Sequence, residues 1–107
     1  MDKTAVLDVI ERFRLSLERR GISIRRIQLY GSCAGGTPHP GSDIDLVVVS
    51  PDFEAMDYWQ RLDVLAHAVA EVWEPIEAVA MTPEEWEKSD SLIAQFARQG
   101  EAAYAID

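Results

Sequence analysis

The sequence predicts an α/β (α+β) fold, a small mixed sheet of three strands flanked by about four helices in the order αβ-αβ-αβ-α. Three observations lead there. Short apolar, β-branched runs occur three times, within residues 22–30, 44–49 and 75–81. Between them, apolar residues recur at helical spacing. Glycine and proline punctuate the joins, most densely between the first two runs.

Taken in order, residues 3–20 read as an amphipathic helix. Val6, Ile10, Phe13 and Leu17 form its stripe, Leu7 and Val9 widen it, and Gly21 stands at the C-terminal stop. Residues 22–30 form the first strand, with Arg25 and Arg26 interrupting the alternation, which implies a bulge or a late start. These two arginines are expected in solvent, with a partner contact left open. Asp43-Ile44-Asp45 leads into Leu46-Val47-Val48-Val49, the second strand. Asp57 then caps a helix over residues 58–73, with Tyr58, Leu62, Leu65, Val69 and Val72 as core stripe and Trp59, Ala66 and Trp73 beside it. Residues 75–81 form the third strand. Thr82-Pro83-Glu84-Glu85 is a capping box with proline at the first helical position. That last helical stretch is expected to break around Ser89-Asp90-Ser91, and Leu92, Ile93, Phe96 and Ala97 then resume the stripe. Gly100 ends it, and residues 101–107 read as a tail, extended around Tyr104 and Ile106.

The chain has 107 residues, ten lysines and arginines against nineteen aspartates and glutamates, and a net charge of −9. We read it as one domain spanning 1–107. The acidic balance argues against a polymerase-like grip on DNA or RNA, which needs a basic face. It suits a triphosphate brought in with a metal, and docking to a basic protein partner. No apolar run approaches the ~20 residues of a membrane span. The single cysteine, Cys33, excludes an internal disulfide and fits a cytoplasmic location. As a small residue after Gly31-Ser32, it is expected to pack under the loop rather than react.

The chemistry concentrates in residues 29–49. Asp43 and Asp45 alternate with Ile44, so both carboxylates face one side of a strand, about 7 Å apart. Such a pair beside an apolar core calls for a cation, and a hard divalent ion such as Mg²⁺ takes oxygen ligands. Gly31-Ser32 follows a strand and offers backbone N–H groups and a hydroxyl, the equipment of a phosphate cradle. Cradle plus carboxylates is a recipe for metal-assisted phosphoryl or nucleotidyl transfer. Glu77 is a charge inside an apolar run, so it needs a partner or a metal, unless it points to water from an edge strand. Asp63, His67 and Glu71 share one helix face and read as a solvated surface before a metal site. His39, between two prolines, reads as a solvent-exposed loop residue.

Gly31-Ser32, ten residues (33–42), then Asp43-Ile44-Asp45 resembles the signature of the DNA polymerase β-type nucleotidyltransferase superfamily. LYGS upstream and SDIDLVVV downstream resemble its minimal nucleotidyltransferase (MNT) branch. The resemblance extends over residues 26–100 and is sharpest over 31–49. It implies the nucleotidyltransferase fold and transfer of a nucleoside monophosphate, expected from ATP, to an acceptor hydroxyl. It implies two Mg²⁺ ions, or Mn²⁺, on Asp43 and Asp45, with Gly31 and Ser32 on the β and γ phosphates. Glu77 would be the third carboxylate, holding metal or deprotonating the hydroxyl. MNT proteins resemble antitoxins that adenylylate a HEPN-type toxin, so a helical protein partner is implied, and an oligomer is left open. The chain departs from the pattern at Gly35, where the family carries arginine. That glycine sustains a rival reading, a catalytically weak or inactive binding subunit. A small-molecule transferase is the third, disfavoured because an acceptor-binding domain is missing.

Overall fold

The computed structural model describes residues 2–34 and 43–106, with Ser32 described by its backbone alone. Helix α1 (Lys3–Arg19) begins where the Asp2 carboxylate accepts the Ala5 N–H at 2.8 Å. It buries the expected stripe, Val6, Val9, Ile10, Phe13 and Leu17. Gly21 follows at φ +90°, a left-handed conformation that costs glycine little.

Strands β1 (Arg26–Tyr30), β2 (Ile44–Val49), β3 (Ile76–Met81) and β4 (Glu101–Ala105) form one sheet in the order β3-β2-β1-β4. β1 runs antiparallel to β2 and β4, and β2 runs parallel to β3. Helix α2 (Tyr58–Val72) connects the parallel pair, while α3 (Pro83–Lys88) and α4 (Leu92–Arg98) precede β4. On one sheet face, Ile27, Leu29, Ile44, Leu46 and Val48 pack against α1 and α2. On the other, Val47, Val49 and Met81 pack with Ala94, Ala97 and Trp86 of α3 and α4. Residue parity along β2 therefore places Asp45 on the α3–α4 side.

The sheet has four strands where the sequence suggests three. Residues 101–105 lack β-branched alternation, and tertiary pairing makes them a strand. Ile106 N–H donates to the Arg25 carbonyl at 3.0 Å, and the Arg14 guanidinium lies 4.5 Å from the Tyr104 ring centroid. Gly100 passes so close to β1 that a Cβ there would collide with the Leu29 carbonyl oxygen. β1 starts late, at Arg26, although Arg25 N–H already donates to the Val49 carbonyl at 2.8 Å.

Two helical stripes differ from expectation. α2 is capped by Asp57 in a box completed by Gln60, but it buries Leu65, Ala68 and Val72. Tyr58, Trp59, Leu62 and Trp73 are exposed. Leu65, Val69 and Val72 of the expected stripe face the core together with the small, fully buried Ala68, whereas Tyr58 and Leu62 in the first half of the helix turn outward. α4 likewise buries Ala94 and Ala97 and leaves Leu92, Ile93 and Phe96 exposed. The break between α3 and α4 falls where Ser89–Ser91 suggested, with the Ser91 hydroxyl accepting the Ala94 N–H. The α3 capping box of Thr82 and Glu85 forms as read.

Candidate active site

Three strands bring three polar side chains to the same end of the α3–α4 face. Tyr30, last residue of β1, is the Cα partner of Asp45 in the antiparallel ladder. Asp45 is the partner of Glu77 in the parallel ladder. Directly paired residues on one sheet face stand ~4.5–5.5 Å apart at Cβ, so the row Tyr30–Asp45–Glu77 is one constellation. Residues 43 and 77 are exposed and residue 45 is half-buried.

The electrostatics reflect that convergence. Burial raises the Asp45 pKa above its ordinary value, and the Glu77 carboxylate adds to it by charge and hydrogen bond, with Asp43 contributing charge. Burial likewise raises the Tyr30 phenol, helped by the negative charges of Asp45 and Glu77. Among the described residues, no three His, Cys, Asp or Glu side chains meet closely enough to form a metal-holding group. Asp45 and Glu77 are the converging pair, and Asp43 acts on Asp45 through its field. All donors at this end are oxygens and mutually repulsive, chemistry that fits Mg²⁺ or Mn²⁺.

Backbone contacts hold the row in place. The Ile44 N–H donates to the Pro75 carbonyl at 2.8 Å, joining the starts of β2 and β3. The buried Cys33 thiol, 2% exposed, donates to the Asp43 carbonyl at 3.6 Å, so it packs beneath the turn as the sequence suggests. Gly31 opens a 3-10 turn (Gly31–Cys33) at φ +74° and lies directly over Asp45. A Cβ at residue 31 would collide with Asp45 Oδ2. Glycine is needed there twice over, for the left-handed backbone and for the approach to the carboxylate. Ser32 lies in the middle of this turn. Gly35, His39 and the rest of 35–42 lie outside the described residues.

A cleft of about 540 Å³ opens beside the turn, lined by Tyr30, Gly31, Ala34, Phe96, Gln99 and Glu101 with Gly100 at its back. Tyr30 and this cleft were not singled out from sequence. The available signal was the position of Tyr30 immediately before Gly31, but its pairing with Asp45 depends on strand register.

The other candidates disperse. His67 Nδ1 lies 2.8 Å from the Asp63 carbonyl oxygen, one turn earlier in α2. Glu71 pairs with Arg19 and, at 3.2 Å, with Arg20, tying α2 to α1. The arginines hold its carboxyl below the usual range, with the Arg19 hydrogen bond the largest cause. Arg26 does not simply extend into solvent: its Nη1 donates to Gln28 Oε1 at 3.0 Å and its guanidinium sits 5.8 Å from the Trp86 ring centroid. Among the described residues, no helix is long and apolar enough to cross a membrane.

The nucleotidyltransferase domain family matches residues 10–98. The fold is similar to that of a protein of Sulfolobus solfataricus described as a nucleotidyltransferase, with TM-score 0.65 and 15% identity over 79% of this chain and 74% of that one. It is similar to a chain of a toxin–antitoxin complex with AMP-PNP, with TM-score 0.64 and 21% identity over 91% and 74%. It is also similar to a chain in the Shewanella oneidensis complex of a tri-AMPylated HEPN toxin with an MNT antitoxin, with TM-score 0.59 and 16% identity over 97% and 73%. No curated protein sequence matches the chain.

Proposed function

The chain belongs to the nucleotidyltransferase domain family, and from that premise we propose that it transfers AMP from ATP to a hydroxyl on a partner protein. The observation that carries this reading is the in-register row Tyr30–Asp45–Glu77 beneath a glycine that no other residue could replace without displacing Asp45. Domain membership alone would be compatible with many acceptors. The solved relatives include a toxin–antitoxin complex with AMP-PNP and a tri-AMPylated HEPN toxin beside its MNT antitoxin, which favours a protein acceptor of that kind.

In this reading Asp45 and Glu77 would hold Mg²⁺, with Asp43 drawn in beside them as the ion binds, and residues 1–107 would act as one unit in the cytoplasm. The backbone N–H groups of the Gly31–Ser32 turn bind the β and γ phosphates of ATP. Bound metal neutralises charge on the triphosphate and lowers the barrier to displacement. Glu77 accepts the acceptor's proton as its oxygen forms a bond to the α phosphorus. The bond from that phosphorus to the bridging oxygen breaks, and pyrophosphate leaves.

Gly35 favours a second reading, a binding subunit that neutralises its partner without transferring a nucleotide. Labelled ATP, Mg²⁺ and the protein encoded by the neighbouring reading frame separate the two. Label on the partner, lost with Asp45→Asn while the complex persists, supports transfer. A stable complex that never takes label supports the binding subunit, and label on a free small molecule would move the acceptor to a third class.

A further inference from the structure

We propose that the outer edge of β3, with the apolar groove beside it, is where a basic partner protein adds an extended segment as a further strand. This deepens the protein-acceptor reading and rests on it for the partner's role, while the surface itself is argued from the edge alone.

β3 lies at one end of the sheet and pairs continuously with β2, from Ile44↔Ile76 to Val49↔Met81. The Pro75 carbonyl accepts from Ile44 N–H and the Met81 carbonyl from Ser50 N–H at 3.0 Å. Strand periodicity of two therefore turns the backbone polar groups of Glu77 and Val79 toward β2, and those of Ala78 and Ala80 outward. Natural edges are guarded by charged side chains, lysine above all, by internal proline or by a bulge. Along residues 76–81 β3 has no lysine, proline or bulge; its one charge is Glu77, whose backbone faces β2, and the outward-facing backbone at 78 and 80 belongs to small alanines.

Beside this edge run two contiguous clefts of about 360 and 490 Å³, sharing Leu62, Leu65, Ala78 and Val79. Their far wall is α2, where Tyr58, Leu62, Ala66 and Ala70 recur every four residues as an exposed apolar row. These are the residues that the core does not use. A helix laid in the groove would cover that row but leave the Ala78 and Ala80 amides and carbonyls without strand partners. An added strand satisfies both.

Charge selects the occupant. Glu77 lines one cleft and Glu85 the other, with Glu54 and Glu84 just beyond. The cations at this rim are already paired, Arg61 with Glu85 at 2.8 Å and Lys88 with Glu84 at 3.5 Å. A segment with an apolar middle and lysine or arginine at its ends is complementary, whereas a second copy of a chain carrying −9 is not. Because Glu77 belongs both to the groove and to the Asp45 row, the added strand would run past the candidate active site.

The test uses a short synthetic peptide of alternating valine and threonine with paired lysines at each end, without ATP or metal. Binding is read by fluorescence anisotropy, and hydrogen exchange is followed at the Ala78 and Ala80 amides. The expected result is saturable binding with new protection at both amides. N-methylation of alternate peptide residues, glutamates in place of the lysines, or Leu62→Lys should each weaken it about tenfold or more, the scale of ~1.4 kcal/mol. Leu62 is exposed, so its variant should keep the wild-type circular dichroism. Absence of binding, equal binding of the N-methylated peptide, or protection elsewhere would overturn the proposal. So would protection of Ala78 and Ala80 by self-association without peptide, which would assign the edge to a second copy. Nucleotide transfer is not read in this experiment, so either reading can fail while the other stands.

Discussion

Asp45 stands in register with Glu77 across the parallel β2–β3 ladder, and burial together with the Glu77 charge raises the cost of ionising Asp45. Like charges so placed are retained against stability, which is expected of a site that meets a cation.

That relationship sets a pH dependence. Asp45 titrates above its ordinary value of 3.8 in the folded chain, so the native state binds its proton more tightly than the unfolded state. Stability from this group is full below the ordinary value and is lost as pH rises through the raised one. Asp45→Asn should therefore increase the metal-free melting temperature at neutral pH, and the gain should vanish on acidification toward the ordinary value. Melting curves of both proteins across that window check this, and a gain independent of pH would contradict it.

Metal should relieve the same repulsion. Mg²⁺ or Mn²⁺ should raise the wild-type melting temperature, by about 4–8 °C for each kcal/mol of binding free energy in a domain of this size. Asp43→Asn with Asp45→Asn should abolish the shift, and Glu77→Gln should reduce it. An undiminished shift in the double variant would put the ion elsewhere.

Gly31→Ala tests the close approach over Asp45. A left-handed conformation costs a non-glycine residue about 1–2 kcal/mol, and the new methyl also displaces the carboxylate. Both stability and the metal response should fall. Loss of stability with an intact metal response would detach Asp45 from the metal.

Gly100→Ala tests the fourth strand. Its Cβ would meet the Leu29 carbonyl, so β4 should separate from β1, at a cost on the order of 1–3 kcal/mol. Hydrogen exchange should show the loss at the Ile106 amide while the β1–β2 ladder stays protected.

Much of this was legible from local chemistry. The capping boxes of α2 and α3, the α1 stripe and the β2 run all rest on residues a few positions apart, which sequence spacing reveals directly. β4 was legible only as an extended tail around Tyr104, because Ala102 and Ala103 carry little strand preference and the pairing with β1 is long-range. The outward turn of Leu62 and Phe96 was hidden for a related reason: Ala68 and Ala97 take the buried positions, and periodicity scores size before fit. At the site, the Asp43–Asp45 alternation and Glu77 could be seen as charges needing partners. Tyr30 could not, because its place beside Asp45 is set by register with a strand that starts fourteen positions later in the chain.

The most direct measurement is transfer itself. The purified chain, the protein encoded beside it, Mg²⁺ and ATP labelled at the α phosphate should give a partner carrying adenylyl label on a hydroxyl side chain, with release of pyrophosphate. Asp45→Asn should leave the complex intact and remove the label. A complex that forms with wild-type protein and stays unlabelled at saturating ATP and Mg²⁺ would contradict the account.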